Sequence, residues 1–137
     1  MSHTAEIEGA ELGEVVLVVE DDLIVRGLIV EVLSELGYST LEAGDGQFGL
    51  QILQSDRRID LLITDIGLPG LNGRQMTDAA RVKRPDLKVL FMTGYAENAA
   101  LANGFLEHGM EMVTKPFAME VLATRIRAMI GERANAA

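Results

Sequence analysis

Three runs of β-forming residues in this chain each end directly in charged side chains. The runs and the residues that follow them are 15–19 with Glu20, Asp21 and Asp22, 59–64 with Asp65, and 110–114 with Lys115. If these runs are parallel strands of one sheet, their carboxyl ends meet at a single edge, which is where open α/β sheets bind ligands. The sequence therefore predicts an acidic pocket with one lysine, a combination suited to a divalent cation and a phosphoryl group.

Amphipathic helical patterns follow the first run and close the chain. Apolar residues recur there at spacings of three and four, as one face of a helix requires. The residues with this spacing are Val25, Leu28, Ile29, Val32 and Leu36 in the first pattern, and Met119, Leu122, Ile126 and Ile130 in the last. Residues 46–55 form a weaker pattern, with Phe48 and Ile52 predicted on one face and a destabilising Gly49 inside the helix.

Further strands and helices complete the alternation. Residues 38–43 and 88–93 are rich in β-formers, and residues 97–103 suit a short helix. Asn72 is predicted to cap a helix that ends before Pro85, because proline disfavours helical geometry in the residue before it. Five strand–helix units with short connections imply a parallel sheet covered by helices on both faces.

Composition and charge narrow the classes of protein that the chain can be. Its 137 residues, 48% of them hydrophobic, suffice for one domain, which we expect at 14–131 with flexible tails at 1–13 and 132–137. The absence of cysteine excludes disulfides and thiolate chemistry, and we predict a cytoplasmic location. A net charge of -9 opposes direct nucleic-acid binding, and no segment is long and apolar enough for membrane insertion. The expected partners are therefore proteins and cations.

The predicted pocket has the residue types that phosphoryl transfer requires. Carboxylates about 4 Å apart repel by roughly 4 kcal/mol per pair at an effective dielectric of about 20, so the cluster favours a bound cation. Oxygen ligands without histidine or cysteine favour Mg²⁺ over zinc. The Asp65 carboxylate can attack phosphorus as a nucleophile. Lys115 and the Thr93 hydroxyl can neutralise the charge that develops on the phosphoryl oxygens.

Each of these residues also has a simpler interpretation. Acidic residues at 20–22 suit the beginning of a helix on dipole grounds alone, and this alternative stays open. Lys115 taken alone is a solvated surface lysine, and Thr93 taken alone is a strand-end residue bonded to its own backbone. The site is indicated by the combination of residues and not by any single one.

In combination, these residues resemble the response-regulator receiver domain of two-component signalling. The matching motifs, spread from about residue 15 to residue 130, are Glu20-Asp21, Asp65 with Leu68-Pro69 and Gly73 behind it, Thr93-Gly94, and Lys115-Pro116-Phe117. The resemblance implies a flavodoxin-like (βα)5 fold, a doubly wound parallel sheet with strand order 2-1-3-4-5. It also implies a phosphoacceptor signalling domain that catalyses only its own phosphorylation and dephosphorylation, not an enzyme with a separate substrate.

The resemblance assigns a role to each residue of the pocket. Asp65 would accept the phosphoryl group from the phosphohistidine of a sensor histidine kinase or a histidine phosphotransfer protein. The implied Mg²⁺ ligands are Glu20, Asp21, Asp65 and the backbone carbonyl of Gly67. Thr93 and Lys115 would contact the phosphoryl oxygens, and the Lys115-Pro116 peptide bond would be cis. Asp22 stands at a variable position and is expected outside the ligand set.

The switch is where the chain departs from the common pattern. Many receivers carry Tyr or Phe three residues before the lysine, where this chain has Met112. Residues 91–95 (FMTGY) resemble a subgroup with a Phe-Ala-Thr-Gly type motif and the receivers of hybrid histidine kinases. We expect the flexible Met112 to fill the space behind Thr93 and Tyr95 to couple the site to the helix that follows. An equally open interpretation is that Tyr95 is a loop aromatic without a switching role.

Other protein classes fit less well. Haloacid-dehalogenase-like phosphatases need a second Asp two positions after the nucleophile, where this chain has Gly67. A flavin-binding module would bring an anionic ligand against the acidic stretch 20–22. The remaining rival is a receiver-like interaction module that is never phosphorylated. Because nothing after Ile130 suits an output domain, we expect output through contacts with a downstream protein target.

Overall fold

The strands and helices alternate along the chain, as the sequence predicts. The computed structural model of the chain describes residues 13–94 and 105–136. The strands are β1 (Val15–Val19), β2 (Ser39–Ala43), β3 (Leu61–Asp65), β4 (Val89–Thr93) and β5 (Met110–Thr114). The helices are α1 (Leu23–Glu35), α2 (Gly46–Leu53), α3 (Gly73–Lys83) and α4 (Met119–Ala136). The helix predicted at 97–103 lies outside the described residues.

All strand pairs in the sheet are parallel, and their order is β2-β1-β3-β4-β5. This confirms the predicted doubly wound fold. The chain adds β2 on one side of β1 and β3 on the other, so strand order reverses between β1 and β3. A crevice opens at such a reversal beyond the carboxyl ends of the strands. The fold therefore places the residues that follow β1 and β3 at the ligand-binding edge of the sheet.

Two hydrophobic clusters, one on each face of the sheet, form the core. Alternate residues of β1 point to opposite faces, with Val16 and Val18 in one cluster and Leu17 and Val19 in the other. Helices α1 and α4 contribute their apolar residues to the first cluster, and α2 and α3 contribute theirs to the second. Because both faces are buried, the central strands β1, β3 and β4 are apolar at successive positions over most of their length, whereas the edge strands β2 and β5 include polar residues.

Side-chain caps from Asp22, Asp45 and Asn72 fix where α1, α2 and α3 begin. The Asp22 carboxylate accepts hydrogen bonds from two backbone N–H groups in the first turn of α1, at 2.9 and 3.2 Å. Asn72 caps α3 through a reciprocal pair of hydrogen bonds with Gln75, as the sequence predicts for an N-cap. Helix α3 ends at Lys83, before Pro85, which is also as predicted. The α3 cap matters for the site because it anchors the loop that follows β3.

The apolar face predicted for α2 is only partly correct, because Ile52 packs against the core but Phe48 is exposed. Phe48 is 50% exposed, while Gly49 and Leu53 are buried against the sheet. A Cβ atom built on Gly49 would lie 2.9 Å from Cγ2 of Val19 and 2.8 Å from Sδ of Met76. The glycine therefore allows α2 to approach β1 and α3 closely. This close packing offsets the low helix propensity of glycine.

Two helical glycines are expected to respond in opposite ways to alanine. Gly27→Ala should raise the free energy of unfolding by up to about 1 kcal/mol, because a Cβ there meets no atom within 4 Å. Gly49→Ala should lower it by roughly 1 to 3 kcal/mol, because overpacking against Val19 outweighs the gain in helix propensity. Urea denaturation of the two variants measures both changes. A stabilised Gly49→Ala protein would contradict the packing role.

Candidate functional site

The carboxyl edge of the sheet brings the predicted charged residues together. Glu20 follows β1, Asp65 ends β3, and Lys115 follows β5. Nζ of Lys115 lies 2.9 Å from Oε1 of Glu20 and 3.6 Å from Oδ2 of Asp65. One carboxylate oxygen from each of Glu20, Asp21 and Asp65 lies within 4.8 Å of the others. Residues far apart in the sequence thus form a single acidic pocket beside one ammonium group.

Glu20 is the most deeply buried carboxylate of the pocket, with 1% of its surface exposed. Its Oε2 accepts a hydrogen bond from the Asp22 N–H at 3.0 Å, and its Oε1 accepts one from Lys115. Burial raises the pKa of Glu20, and the charge of Asp65 raises it further, although the bonds from Asp22 and Lys115 partly offset this. A second cation at this point would favour the ionised form of Glu20.

Lys115 keeps its charge between the two carboxylates. Burial alone would lower the pKa of Lys115, but the hydrogen bond to Glu20 and the charges of Asp65 and Glu20 raise it above its ordinary value. The peptide bond that follows, Lys115-Pro116, is cis, which confirms the prediction. The lysine is therefore a permanent point charge at the edge of the pocket.

The loop after β3 folds back tightly on Asp65. A Cβ atom on Gly73 would lie 2.3 Å from the backbone oxygen of Asp65, so no larger residue fits this approach. The Gly67 N–H donates a hydrogen bond to Oδ1 of Asp65 at 3.4 Å, and the Asp65 side chain is 13% exposed. The carboxylate is held at the surface of the pocket, where a donor can reach it. The metal role of the Gly67 carbonyl stays a prediction.

Thr93 lies at the end of β4 with no exposed surface. Its hydroxyl donates a hydrogen bond to the carbonyl of Gly94 at 3.1 Å, and its own carbonyl accepts one from the Lys115 N–H at 2.7 Å. In this state the hydroxyl is bonded to local backbone, as its simpler interpretation expects. Contact with a phosphoryl group would require the hydroxyl to exchange this carbonyl for the new acceptor.

Asp21 and Asp22 have different environments although they are neighbours in the sequence. The Asp22 carboxylate is used as the cap of α1. The Asp21 side chain is exposed, and within the described residues it makes no hydrogen bond or salt bridge. Both carboxylate oxygens of Asp21 are therefore available to a cation. In Asp22, one carboxylate oxygen is already occupied by the hydrogen bonds of the helix cap.

The oxygen-only donor set fits Mg²⁺. The three carboxylates supply hard oxygen ligands without sulfur or imidazole, which is the chemistry that Mg²⁺ prefers. One ammonium group, Lys115, cannot neutralise Glu20, Asp21 and Asp65 together, so negative charge remains. The pocket can accordingly hold a divalent cation.

Of the two predicted switch residues, Met112 lies in the part of the chain that the structure describes. Met112 pairs with Phe91 across β4 and β5, and it packs against the core cluster that contains Phe91. This places Met112 on the strand beside the one that ends in Thr93. Tyr95 lies outside the described residues. A switching role for either residue stays a prediction.

A contact that the sequence did not reveal joins α3 to the segment before β5. Arg74 donates a hydrogen bond to the carbonyl of Phe105 and pairs with Asp78 and Glu107 at 2.9 Å each. Its guanidinium stacks on the Phe105 ring at 4.9 Å, and that ring meets Phe91 edge to face with centroids 5.3 Å apart. No local pattern signals a contact between residues 31 positions apart.

A doubly wound sheet with an acidic pocket and one lysine at its reversal point defines a phosphoacceptor signalling module, not a conventional enzyme. Residues 16–127 match the response regulator receiver domain family. The chain belongs to this family and is a receiver domain of two-component signalling. Within residues 13–94 and 105–136, no helix combines the length and apolarity needed to cross a bilayer.

Several known proteins are similar to this chain. A probable transcriptional regulatory protein of Picosynechococcus is 33% identical over an alignment 136 residues long, which covers 95% of this chain and 54% of that protein. The sensor kinase CckA of Brucella abortus is 33% identical over 116 residues, which make up 84% of this chain and 12% of the kinase. The crystal structure of the receiver domain from the hybrid histidine kinase CckA matches with a TM-score of 0.72 and 31% identity, covering 85% of this chain and 98% of that one. The chain thus spans about half the length of the first relative, and the predicted similarity to hybrid-kinase receivers is confirmed.

Proposed function

We propose that Asp65 accepts a phosphoryl group from the phosphohistidine of a histidine kinase or a histidine phosphotransfer protein, in a Mg²⁺-dependent reaction. The observation that carries this proposal is the position of Lys115, whose ammonium lies within 4 Å of both the buried Glu20 and the accessible Asp65. Asp21 adds a carboxylate without a partner among the described residues. The pocket thus combines a nucleophile, a fixed positive charge and a set of metal ligands.

The transfer is a displacement at phosphorus by the Asp65 carboxylate. An Asp65 oxygen forms the new P–O bond while the P–N bond of the phosphohistidine breaks, and the leaving imidazole nitrogen keeps the electron pair and takes up a proton from solvent. Lys115 neutralises charge on the transferred oxygens, and the Thr93 hydroxyl donates to one of them after leaving Gly94. When bound, Mg²⁺ supplies further neutralisation as a Lewis acid. Water later hydrolyses the aspartyl phosphate and restores Asp65.

The new charge is the signal. Phosphorylation adds roughly 1.5 to 2 negative charges and new acceptor oxygens, which draw donors toward Asp65. Because Thr93 and Lys115 are joined by a backbone hydrogen bond, a movement of either residue affects the ends of β4 and β5 together. We infer that output reaches a downstream protein through the surface near these strand ends.

An apolar surface beside the pocket suits the docking of the phosphoryl donor. Leu23, Ile24 and Leu28 of α1 are 70%, 76% and 43% exposed. A groove next to them is lined by Val25, Leu28, Lys115, Pro116, Phe117 and Met119. Since Lys115 belongs both to this groove and to the pocket, a helix seated in the groove would bring its histidine close to Asp65.

A charged substitution on this surface is expected to slow phosphorylation by a kinase but not phosphorylation by a small phosphodonor. Ile24→Glu should reduce phosphotransfer from a kinase that acts on the unaltered chain by about tenfold or more, since a docking contact worth about 1.4 kcal/mol is lost. Labelling by acetyl phosphate should be unchanged, because the small donor needs no docking surface. Rates of radiolabel transfer from both donors measure the difference.

The matched control is Val82→Glu, which adds the same charge at an 86% exposed position on α3. It should leave both donors unaffected. Equal loss with the kinase in both variants would indicate a nonspecific charge effect, and loss with acetyl phosphate in Ile24→Glu would indicate damage to the pocket itself.

A further inference from the structure

We propose that Arg26 is a positioning residue of the cation site, holding the peptide that joins Glu20 to Asp21. This inference rests on the proposed function, in which both carboxylates bind Mg²⁺. Arg26 lies in α1, and its side chain donates hydrogen bonds to the Glu20 carbonyl and to Glu42. Its effect would pass through the backbone that presents the metal ligands.

The Arg26 guanidinium bridges the carboxyl ends of β1 and β2. Its Nη1 donates a hydrogen bond to the backbone carbonyl of Glu20 at 2.9 Å, and its Nε donates to Oε1 of Glu42 at 3.1 Å. The Arg26 side chain is 17% exposed, so water competes little for its bond to the Glu20 carbonyl, whereas Glu42 is 47% exposed and its bond is open to water. A fork of this kind fixes the guanidinium more firmly than a single contact would.

The carbonyl that Arg26 holds belongs to the peptide plane between Glu20 and Asp21. Because that unit is rigid, fixing its oxygen also fixes the N–H and the Cα of Asp21. The other side of Glu20 is held too, since its N–H donates to the Ala43 carbonyl at 3.1 Å. Asp21 itself has no side-chain contact in the described residues to orient it. Arg26 therefore fixes the Glu20 side of Asp21, while the hydrogen bond from the Asp22 N–H to Glu20 holds the other side.

Gly44 leaves room for this arrangement. A Cβ atom on Gly44 would lie 3.1 Å from Nη1 of Arg26, and no other atom would come within 4 Å of it. Its φ is not in the left-handed region, so alanine fits the local backbone. Gly44→Ala consequently shifts the guanidinium by a few tenths of an ångström without altering any charge.

Charge and positioning act in opposite directions at Arg26. A guanidinium close to a cation site repels Mg²⁺, although Glu42 offsets part of its charge. If charge alone mattered, Arg26→Gln would strengthen Mg²⁺ binding. If positioning dominates, as we infer, the same substitution weakens it, by roughly tenfold, which is the low end of the effect of removing groups that orient metal ligands.

The test is calorimetric titration of Mg²⁺ into the full chain, without any phosphodonor. Arg26→Gln and Gly44→Ala should both weaken binding, the second by less. The control is Arg58→Gln, which removes the same charge from a residue paired with Asp60 at 2.9 Å, before β3 at the opposite edge of the sheet. It should leave Mg²⁺ affinity unchanged.

A second measurement separates positioning from general loss of stability. In metal-free Arg26→Gln, amide NMR shifts of Asp21 and Asp22 should change more than those of residues at the opposite sheet edge, and labelling by acetyl phosphate should recover at saturating Mg²⁺. Tighter or unchanged Mg²⁺ binding in Arg26→Gln overturns the inference. Since binding is measured without phosphorylation, failure of the proposed acceptor role of Asp65 would leave this result intact.

Discussion

Asp65→Asn is expected to abolish labelling of the chain by acetyl phosphate and by a cognate kinase. The amide that replaces the carboxylate is not a nucleophile toward phosphorus. Glu20, the other carboxylate paired with Lys115, cannot substitute because it is 1% exposed. Radiolabel incorporation and intact mass, both measured with Mg²⁺ present, should show no added phosphoryl group.

Asp22→Asn is the matched control for this experiment. It removes a carboxylate two positions from Glu20 but keeps an N-cap that asparagine also makes, so α1 should remain intact. Labelling should persist in this variant. Stable phosphorylation of Asp65→Asn would refute the assignment of the acceptor, and an unaltered chain that no donor labels would point to a module working by contacts alone.

The sequence predicted the parallel sheet because the physical signal for it is strong, whereas the strand order followed from the family resemblance. Strands buried on both faces must be apolar at successive positions, as residues 15–19 are, and such runs stand out from the amphipathic helices between them. The chemistry of the pocket was predictable for a related reason. Parallel strands bring their carboxyl ends to one edge, so Asp65 and Lys115 could be placed together from their position after a strand.

The helix α2 shows what such patterns cannot predict. Its short sequence allows two apolar faces. The Phe48 side chain belongs to one of them and is exposed to solvent. The face that packs contains Gly49, whose contribution is the absence of a side chain next to Val19. Hydrophobic periodicity counts apolar side chains and therefore misses a position selected for close approach.

The side-chain contacts that support the pocket could not be predicted from the sequence either. Arg26 reaches both the Glu20 carbonyl and Glu42, 16 positions away, through a fork whose geometry exists only when β1 and β2 are paired. The strand predicted to begin at residue 59 begins at Leu61, and Asp60 before it binds the Val15 N–H through its side chain at 2.8 Å. Contacts of this kind depend on tertiary placement and leave no periodic signal in the sequence.

Asp21→Ala is expected to remove most of the Mg²⁺ response of the chain while stabilising the metal-free protein. Asp21 is exposed and unpaired within the described residues, so its loss costs no contact, and it relieves repulsion with Glu20 and Asp65 worth roughly 1 kcal/mol per pair at the dielectric of water. The metal-free melting temperature should rise by a few degrees, roughly as that energy implies for a domain of this size. Melting curves with and without Mg²⁺, compared with those of Asp22→Asn, measure both effects. If Mg²⁺ still raised the melting temperature of Asp21→Ala as much as that of the unaltered chain, Asp21 would not be a metal ligand, and the pocket would bind its cation through the other predicted ligands.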